Sequence, residues 1–366
     1  MPEIKLDRVS VYGAKKEKIL DNISLDIEEG SFVCLLGPTG SGKTTLLKTI
    51  AGLVAPSRGT VYFDNVDVTT FKHRSQDVSM VFENFVLYPH MSVFQNIASP
   101  LLAKKLPKHE IKEKVKEVTR LLKIEYLLDR KIKQLSGGEM QRVSIGRALA
   151  KEAKIMLFDE IFVNLDYKLR EQMKLEFKDL ISKVKLTSIF ATPDAEEAQT
   201  FGEKVALIYA GKICQYDKKD VVYNQPLDVF TGRYFGYPEM NILDCVITEK
   251  NGGLEINADL ISFSLSSKYV KNHLRIGRYL LGIRPENIKI SEEGKKEGIE
   301  SRGELMLTEV IGSDTIVQVA VGENILKMFV PRIYREDIGK QIYINFDPQL
   351  IYLFDKETGK LIGRGV

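Results

Sequence analysis

The residues best suited to chemistry lie in two short runs. The first is GPTGSGKTT, where Gly37, Gly40 and Gly42 precede Lys43 and Thr44 in the pattern G-x-x-x-x-G-K-T. Glycines let a backbone wrap closely round a phosphate chain, with its N–H groups turned inward as an anion nest. A helix starting there adds the positive end of its dipole. Lys43 would neutralise the β and γ phosphates, and the Thr44 hydroxyl would bind Mg2+. The second run is LFDE, in which Asp159 and Glu160 close an apolar stretch. One carboxylate there can hold Mg2+, and the next can orient or deprotonate an attacking water. Each run also has a plain structural explanation: a glycine-rich turn opening a helix, and an acidic pair capping a strand.

Both runs need particular elements to position them. Ser31 to Leu36 reads as a buried parallel strand, and Leu46, Leu47 and Ile50 as the apolar face of a helix. Strand, glycine loop and helix together are the context the pattern demands, so the chain is expected to bind a nucleoside triphosphate. Ile155 to Phe158 reads as a second buried strand, followed by a helix, Tyr167 to Val184, and a strand, Thr187 to Thr192. Further strands are expected at Ile4 to Tyr12, Ile19 to Ile27 and Val78 to Phe82, with a hairpin in PSRGTVYFDNVDV. This alternation predicts a mainly parallel α/β sheet.

Helical patterning dominates from about Ser92 to Ala150, with Ile111, Val115, Val118, Leu121 and Leu122 on one face. Ser136 and Glu139 in LSGGE fit a capping box at a helix start. Gly137 and Gly138 at the same start make a second anion-accepting terminus. Tyr12, just before Gly13, can stack on an adenine ring or pack against its own sheet.

The bulk composition excludes several classes. The 366 residues suit roughly two to three domains. A formal charge of +3 is too weak to indicate a nucleic acid partner. Cys34, Cys214 and Cys245 lie far apart without ligand spacing and read as reduced core thiols. No apolar run approaches the ~18–20 residues of a membrane span, and MPEIKLDRVS does not read as a signal peptide, so membrane association must come through partners. Beyond Asn224 to Pro238 helical periodicity stops. Short β runs broken by turns at Asn251-Gly252-Gly253, Ile283-Arg284-Pro285 and Glu357-Thr358-Gly359 then predict a small barrel or pair of barrels.

Taken in order, GPTGSGKTT, LSGGE, LFDE and NLD resemble the ATPase subunit of an ABC importer. VFENFVLYPHMSVFQNIA, YNQPLDVFTGRYFGYPEMNIL, LGIRPENI and FDPQLIYLFDKETGKL resemble its carbohydrate-uptake, maltose-importer branch, over essentially the whole chain. The resemblance implies an ABC ATPase domain over 1–235, with a helical subdomain at about 91–150, and an OB-type (TOBE-like) β-barrel regulatory domain over 236–366. It implies that Tyr12 stacks on adenine and that Gly37, Thr39, Gly40, Ser41, Gly42, Lys43, Thr44 and Thr45 hold ATP. Thr44 and Asp159 would serve Mg2+, and Glu160 would be the base. Ser136, Gly137, Gly138 and Glu139 would face the nucleotide of a second ATPase subunit, with Asp166 in the D-loop between the sites. Two such ATPase subunits would sit beneath a pair of membrane permease subunits, and Glu83 to Met91 with the helices after it would receive the permease's coupling helix, although Phe85, Leu87 and Tyr88 suit local core equally. A solute-binding protein would complete the system, placing this chain peripherally on the cytoplasmic face of the membrane.

Two positions depart from the family pattern. The Q-loop glutamine is Glu83, and the switch histidine is Pro193; Ile161 and Val163 also replace the usual proline and serine. A carboxylate at 83 can still bind metal but loses the amide donor. Proline has neither a side-chain donor nor an N–H. Losing one donor to developing charge commonly costs ~10²–10³ in rate. Both changes fall in one composite site, whereas LSGGE is intact to serve the partner's. The pattern predicts a poorly hydrolysing chain paired with a different, competent ATPase. A fully active homodimer is the alternative, and an ATP-dependent regulatory binding module is a third class. A nucleic-acid-acting ABC ATPase would need tandem halves or a basic element, and the sequence has neither.

Overall fold

The computed structural model describes residues 2–70, 77–184, 186–250, 253–259, 261–264, 274–291 and 299–364. They divide into two compact units, Met1–Lys219 and Asp220–Val366.

The first unit carries two sheets. One is antiparallel, in the order β2-β1-β4-β5, built from β1 (Ile4–Tyr12), β2 (Lys18–Ile27), β4 (Arg58–Phe63) and β5 (Val66–Asp67). The other contains β3 (Phe32–Leu36), β6 (Val78–Val81), β7 (Ile155–Asp159), β8 (Thr187–Thr192), β9 (Lys204–Tyr209) and β10 (Lys212–Lys218), in the order β10-β9-β3-β8-β7-β6. Every pairing in it is parallel except that of the edge strand β10 with β9. Burial explains why β3 and Ile155–Phe158 of β7 read as unbroken apolar runs; β8, with Thr187, Ser188 and Thr192, is likewise buried along its whole length. A parallel strand covered on both faces has no polar alternation to show.

The helices Val93–Ala103, Lys108–Leu121 and Gly137–Ala150 fill the segment expected to be helical. The buried stripe of Lys108–Leu121 is Ile111, Val115 and Thr119, continued by Leu122 just past its end, while Leu121 is exposed. A stripe advancing by three and four residues selects only one of the adjacent pair Leu121-Leu122.

Among the described residues the second unit is β apart from its opening helices and two short 3-10 turns, Pro285–Asn287 and Pro348–Leu350. β11 (Asn241–Lys250), β12 (Gly253–Ala258), β13 (Ile261–Ser264), β14 (Gly277–Ile283), β20 (Tyr352–Asp355) and β21 (Leu361–Arg364) form one antiparallel sheet. β15 (Ile288–Ser291), β16 (Ile299–Ile311), β17 (Asp314–Val321), β18 (Asn324–Val330) and β19 (Gln341–Phe346) form the other. Leu243, Ile247 and Leu281 of the first sheet share one apolar core with Leu305, Val319 and Ile344 of the second. The turn expected at Asn251-Gly252-Gly253 lies outside the described residues except for Gly253, the first residue of β12.

The compact units divide at Lys219/Asp220, earlier than the 235/236 division that the family resemblance implies. Arg284 supplies the physical reason. Its buried guanidinium donates to the carbonyls of Tyr223 at 2.7 Å, Gly232 at 2.8 Å and Phe235 at 3.2 Å. Those carbonyls close the helices Lys219–Asn224 and Val229–Tyr234. A cation at two helix C-termini ties the segment to the barrel strands.

Candidate active site

The phosphate loop leaves the end of β3 and enters the helix Lys43–Ile50 through Gly42, whose φ of 109° only glycine adopts readily. Gly37 is sterically fixed as well: a Cβ there would meet the Ile208 carbonyl oxygen at 2.2 Å. Its N–H donates to the carbonyl of Thr192 at 3.2 Å, linking the loop to β8. Thr39 and Gly40 are exposed at the loop's crest. Ser41 is buried, and its hydroxyl meets no acceptor or donor among the described residues.

Lys43 is only 3% exposed. Its ammonium donates to the carbonyls of Gly37 at 2.7 Å and Pro38 at 3.0 Å, and lies 3.0 Å from Glu160 Oε1. The Thr44 hydroxyl donates to Asp159 Oδ1 at 2.9 Å. Burial pushes the Asp159 carboxyl above its ordinary range; the Thr44 hydrogen bond opposes this, and repulsion from Glu160 and Glu83 adds to it. A neighbouring cation would reverse the balance. Thr44 and Asp159 are hard oxygen donors side by side, the chemistry Mg2+ prefers. Among the described residues no cluster of three His, Cys, Asp or Glu side chains forms a metal cage.

Glu160 sits at φ 49°, a region uncommon for a residue with a side chain, and its N–H donates to the Ala191 carbonyl at 3.0 Å. Glu83 is half-buried. Asn164 Nδ2 donates to its carbonyl at 3.3 Å and approaches its Oε1 at 3.5 Å. Pro193 directly follows β8. The loop, Asp159, Glu160, Glu83 and Pro193 therefore gather beyond the carboxyl ends of β3, β6, β7 and β8, where open α/β sheets bind their ligands.

The LSGGE segment is organised separately. Ser136 caps the helix Gly137–Ala150: Glu139 Oε2 accepts its N–H at 2.8 Å and its hydroxyl at 3.0 Å. The Ser136 N–H holds the Glu139 carboxyl below its usual range. Tyr126, on the far side of that carboxylate, donates its hydroxyl to Oε1 at 3.4 Å. A Cβ at Gly138 would meet Leu169 Cδ1 at 2.8 Å, so the Leu169 side chain would have to shift to admit one. Asp166 caps the helix Tyr167–Lys183 by accepting the Leu169 N–H at 3.0 Å. Among the described residues Ser136 and Glu139 bond to each other and to Tyr126, not to the phosphate loop. Tyr12 ends β1, half-buried, with its backbone N–H on Ser57 Oγ at 3.3 Å.

Sequence reasoning missed Glu197. In AEEAQTF it reads as a solvated carboxylate of a helix start, yet it is 4% exposed and accepts the Thr192 hydroxyl at 2.6 Å. Burial raises its pKa to about 7.

The family profile described as ABC transporter matches residues 20–163, and that described as TOBE domain matches residues 281–354. The trehalose/maltose import ATP-binding protein MalK of Thermococcus litoralis is 37% identical over 351 residues, 93% of this chain and 94% of the relative. The chain belongs to the ABC transporter family. The sn-glycerol-3-phosphate import ATP-binding protein UgpC of Psychromonas ingrahamii is also similar, 38% identical over 367 residues, 99% of this chain and 96% of the relative. Among solved structures, the dimeric structure of MJ0796, a bacterial ABC transporter cassette, matches with a TM-score of 0.54 and 32% identity over 59% of this chain and 98% of that one. A dimeric post-hydrolysis state of MJ0796 bound to ADP and Pi matches at 0.53, with the same identity and coverage. This ABC transporter chain is thus an ATP-binding ATPase subunit with a C-terminal TOBE domain, and none of its described helices is long and apolar enough to cross a membrane.

Proposed function

We propose that this chain energises an importer for a sugar, polyol or related solute. Within it, the chain binds ATP firmly, hydrolyses it poorly, and completes the active site of a different, competent ATPase subunit. The importing role is supported by relatives named for trehalose/maltose and sn-glycerol-3-phosphate import that align along nearly the whole chain. Gly37–Thr44 hold the phosphates, Tyr12 takes the adenine, Thr44 and Asp159 hold Mg2+, and Glu160 orients or deprotonates the attacking water. Bound Mg2+ would supply positive charge against the phosphate oxygens.

The observation that carries the asymmetric reading is the end of β8. Thr192 there is fully buried, and the next residue, Pro193, brings no donor toward the phosphates. Glu83 adds a carboxylate that already raises the Asp159 pKa. Ser136, Gly137, Gly138 and Glu139 keep an intact capped helix start to offer the second subunit, with Asp166 between the two sites. One of the two membrane permease subunits docks on the groove of about 380 Å3 lined by Leu53, Met80, Phe82, Tyr88, Pro100 and Arg147. The exposed Tyr88 ring there lies 5.4 Å from the Arg147 guanidinium, apolar and cationic surface together. A solute-binding protein delivers the cargo, and the chain sits peripherally on the cytoplasmic face.

Steady-state ATP hydrolysis by the purified chain, beside Glu83→Gln with Pro193→His, tests this. Slow native turnover, raised at least tenfold by the paired substitution, is expected. Rapid turnover by the native chain alone overturns the asymmetric reading and makes it a homodimeric motor.

A further inference from the structure

The last two residues of β8 hold both halves of the nucleotide site. The Ala191 carbonyl accepts the N–H of Glu160 at 3.0 Å, and the Thr192 carbonyl accepts the N–H of Gly37 at 3.2 Å. The placement of the phosphate loop's first glycine and of the acidic residue at β7's end therefore depends on one strand terminus.

That terminus has an unusual fastening. The Thr192 hydroxyl donates to Glu197 Oε2 at 2.6 Å and accepts the Asp194 N–H at 3.0 Å. Thr192 is fully buried, and Glu197 is 4% exposed in the first turn of the helix Ala195–Phe201. The bond is short, as for a hydroxyl on a carboxylate. Pro193 lies between the two and has no N–H, so it cannot fasten the turn by donating a backbone hydrogen bond of its own. The side chains of Thr192 and Glu197 do so instead. Gly37 has no side chain, and none would fit beside the Ile208 carbonyl. Its register against β8 therefore rests on backbone bonds that move with Thr192.

A buried carboxyl is a poor choice for stability alone, since an apolar residue avoids the desolvation penalty. Such rule-breaking side chains concentrate where function needs them. We propose that Glu197 is a positioning residue of the nucleotide site, fixing through Thr192 the strand end from which Gly37 and Glu160 are both hung. The inference rests on Gly37–Thr44 being the ATP site and concerns a residue that never touches the nucleotide.

The test uses the full chain and its Glu197→Ala, Glu197→Gln and Thr192→Val variants, with ATP affinity and thermal unfolding measured on each. Glu197→Ala and Thr192→Val should both weaken ATP binding by about tenfold, the worth of roughly one good hydrogen bond. Glu197→Gln keeps an acceptor for the Thr192 hydroxyl and should bind ATP as the native chain does. A folded Glu197→Ala chain with a lowered midpoint but native affinity would reduce Glu197 to a structural role and overturn the proposal. If Glu197→Ala does not fold, Thr192→Val decides, because it nearly keeps the volume and removes the hydroxyl with both of its hydrogen bonds, to Glu197 and from the Asp194 N–H; native affinity there is equally fatal. A native chain that binds no ATP would instead overturn the reading of the site itself, and this inference with it.

Discussion

Lys43 and Glu160 are joined by an ion pair: the ammonium lies 3.0 Å from Oε1, with only 2% and 13% of the two side chains exposed. Lysine has three protons, and the carbonyls of Gly37 and Pro38 accept the other two. The cation that should meet a phosphate and the carboxylate that should meet water therefore influence each other directly. Glu160→Gln keeps the shape and removes the charge. It should leave ATP affinity unchanged or tighter while lowering whatever turnover this site has by roughly 10²–10⁴-fold, the usual share of a general base. Lys43→Ala should instead abolish measurable ATP binding. Titration calorimetry and phosphate release on the same preparations check both, and equal loss of affinity in the two variants would contradict these roles.

Ser136 gives a prediction that separates the two nucleotide sites. Its hydroxyl and N–H both engage Glu139, so the helix Gly137–Ala150 starts from a reciprocal cap. Ser136→Ala should cost about 1 kcal/mol of stability, as for other lost N-caps. This chain should keep its native ATP affinity, because its phosphate loop lies elsewhere. ATP turnover by the assembled complex should fall if, as proposed, the helix start serves the other subunit's nucleotide. Weakened ATP binding by the isolated variant would show that the segment acts in cis.

Glu197 makes stability depend on pH. Its carboxyl titrates near 7 in the folded chain against an ordinary 4.5, mainly through burial. The folded state thus favours the protonated form. Its stabilising contribution is complete below pH 4.5 and is lost as pH rises toward 7. Glu197→Gln mimics the protonated form, so it should match the native chain near pH 4.5 and exceed it above pH 7 by at most roughly 3 kcal/mol. Denaturant unfolding from pH 5 to 8 checks this; parallel pH profiles for the two proteins would refute it.

Local pattern accounts for what the sequence made legible. The phosphate loop, its strand and its helix occupy one continuous stretch, and each residue type there answers a local demand: φ at Gly42, space at Gly37, charge at Lys43. Asp159 and Glu160 were readable because they close the apolar run Ile155–Phe158, with Asp159 the last residue of the buried strand. The fastening by Glu197 was not readable, because its burial comes from packing against β8 rather than from the polar text around it. Leu121 and Leu122 look alike in sequence, and only the helix's registration against its neighbours decides which is covered. The compact-unit limit at Lys219/Asp220 was not readable for the same reason: Arg284 acts on Tyr223, Gly232 and Phe235 from about fifty to sixty residues away in the chain.

Arg284 is also where the second unit should be most sensitive. Its guanidinium is 1% exposed, lies 3.9 Å from the Tyr223 ring centroid, and satisfies three carbonyls at helix ends. Arg284→Met preserves much of the packing but leaves those acceptors without their donor inside the protein. Unsatisfied buried groups cost about 1–3 kcal/mol each, with partial relief where water enters. A loss of roughly 3–5 kcal/mol is therefore expected, as for other broken buried charge networks. Arg284→Lys should recover only part of it, because an ammonium cannot span both helix ends as the planar fork does. Hydrogen exchange should locate the damage: amides of 220–235 should lose protection in both variants, while those of Lys43–Ile50 keep theirs. Uniform loss across both units, or native protection in 220–235, would show that Arg284 does not hold this segment to the barrel.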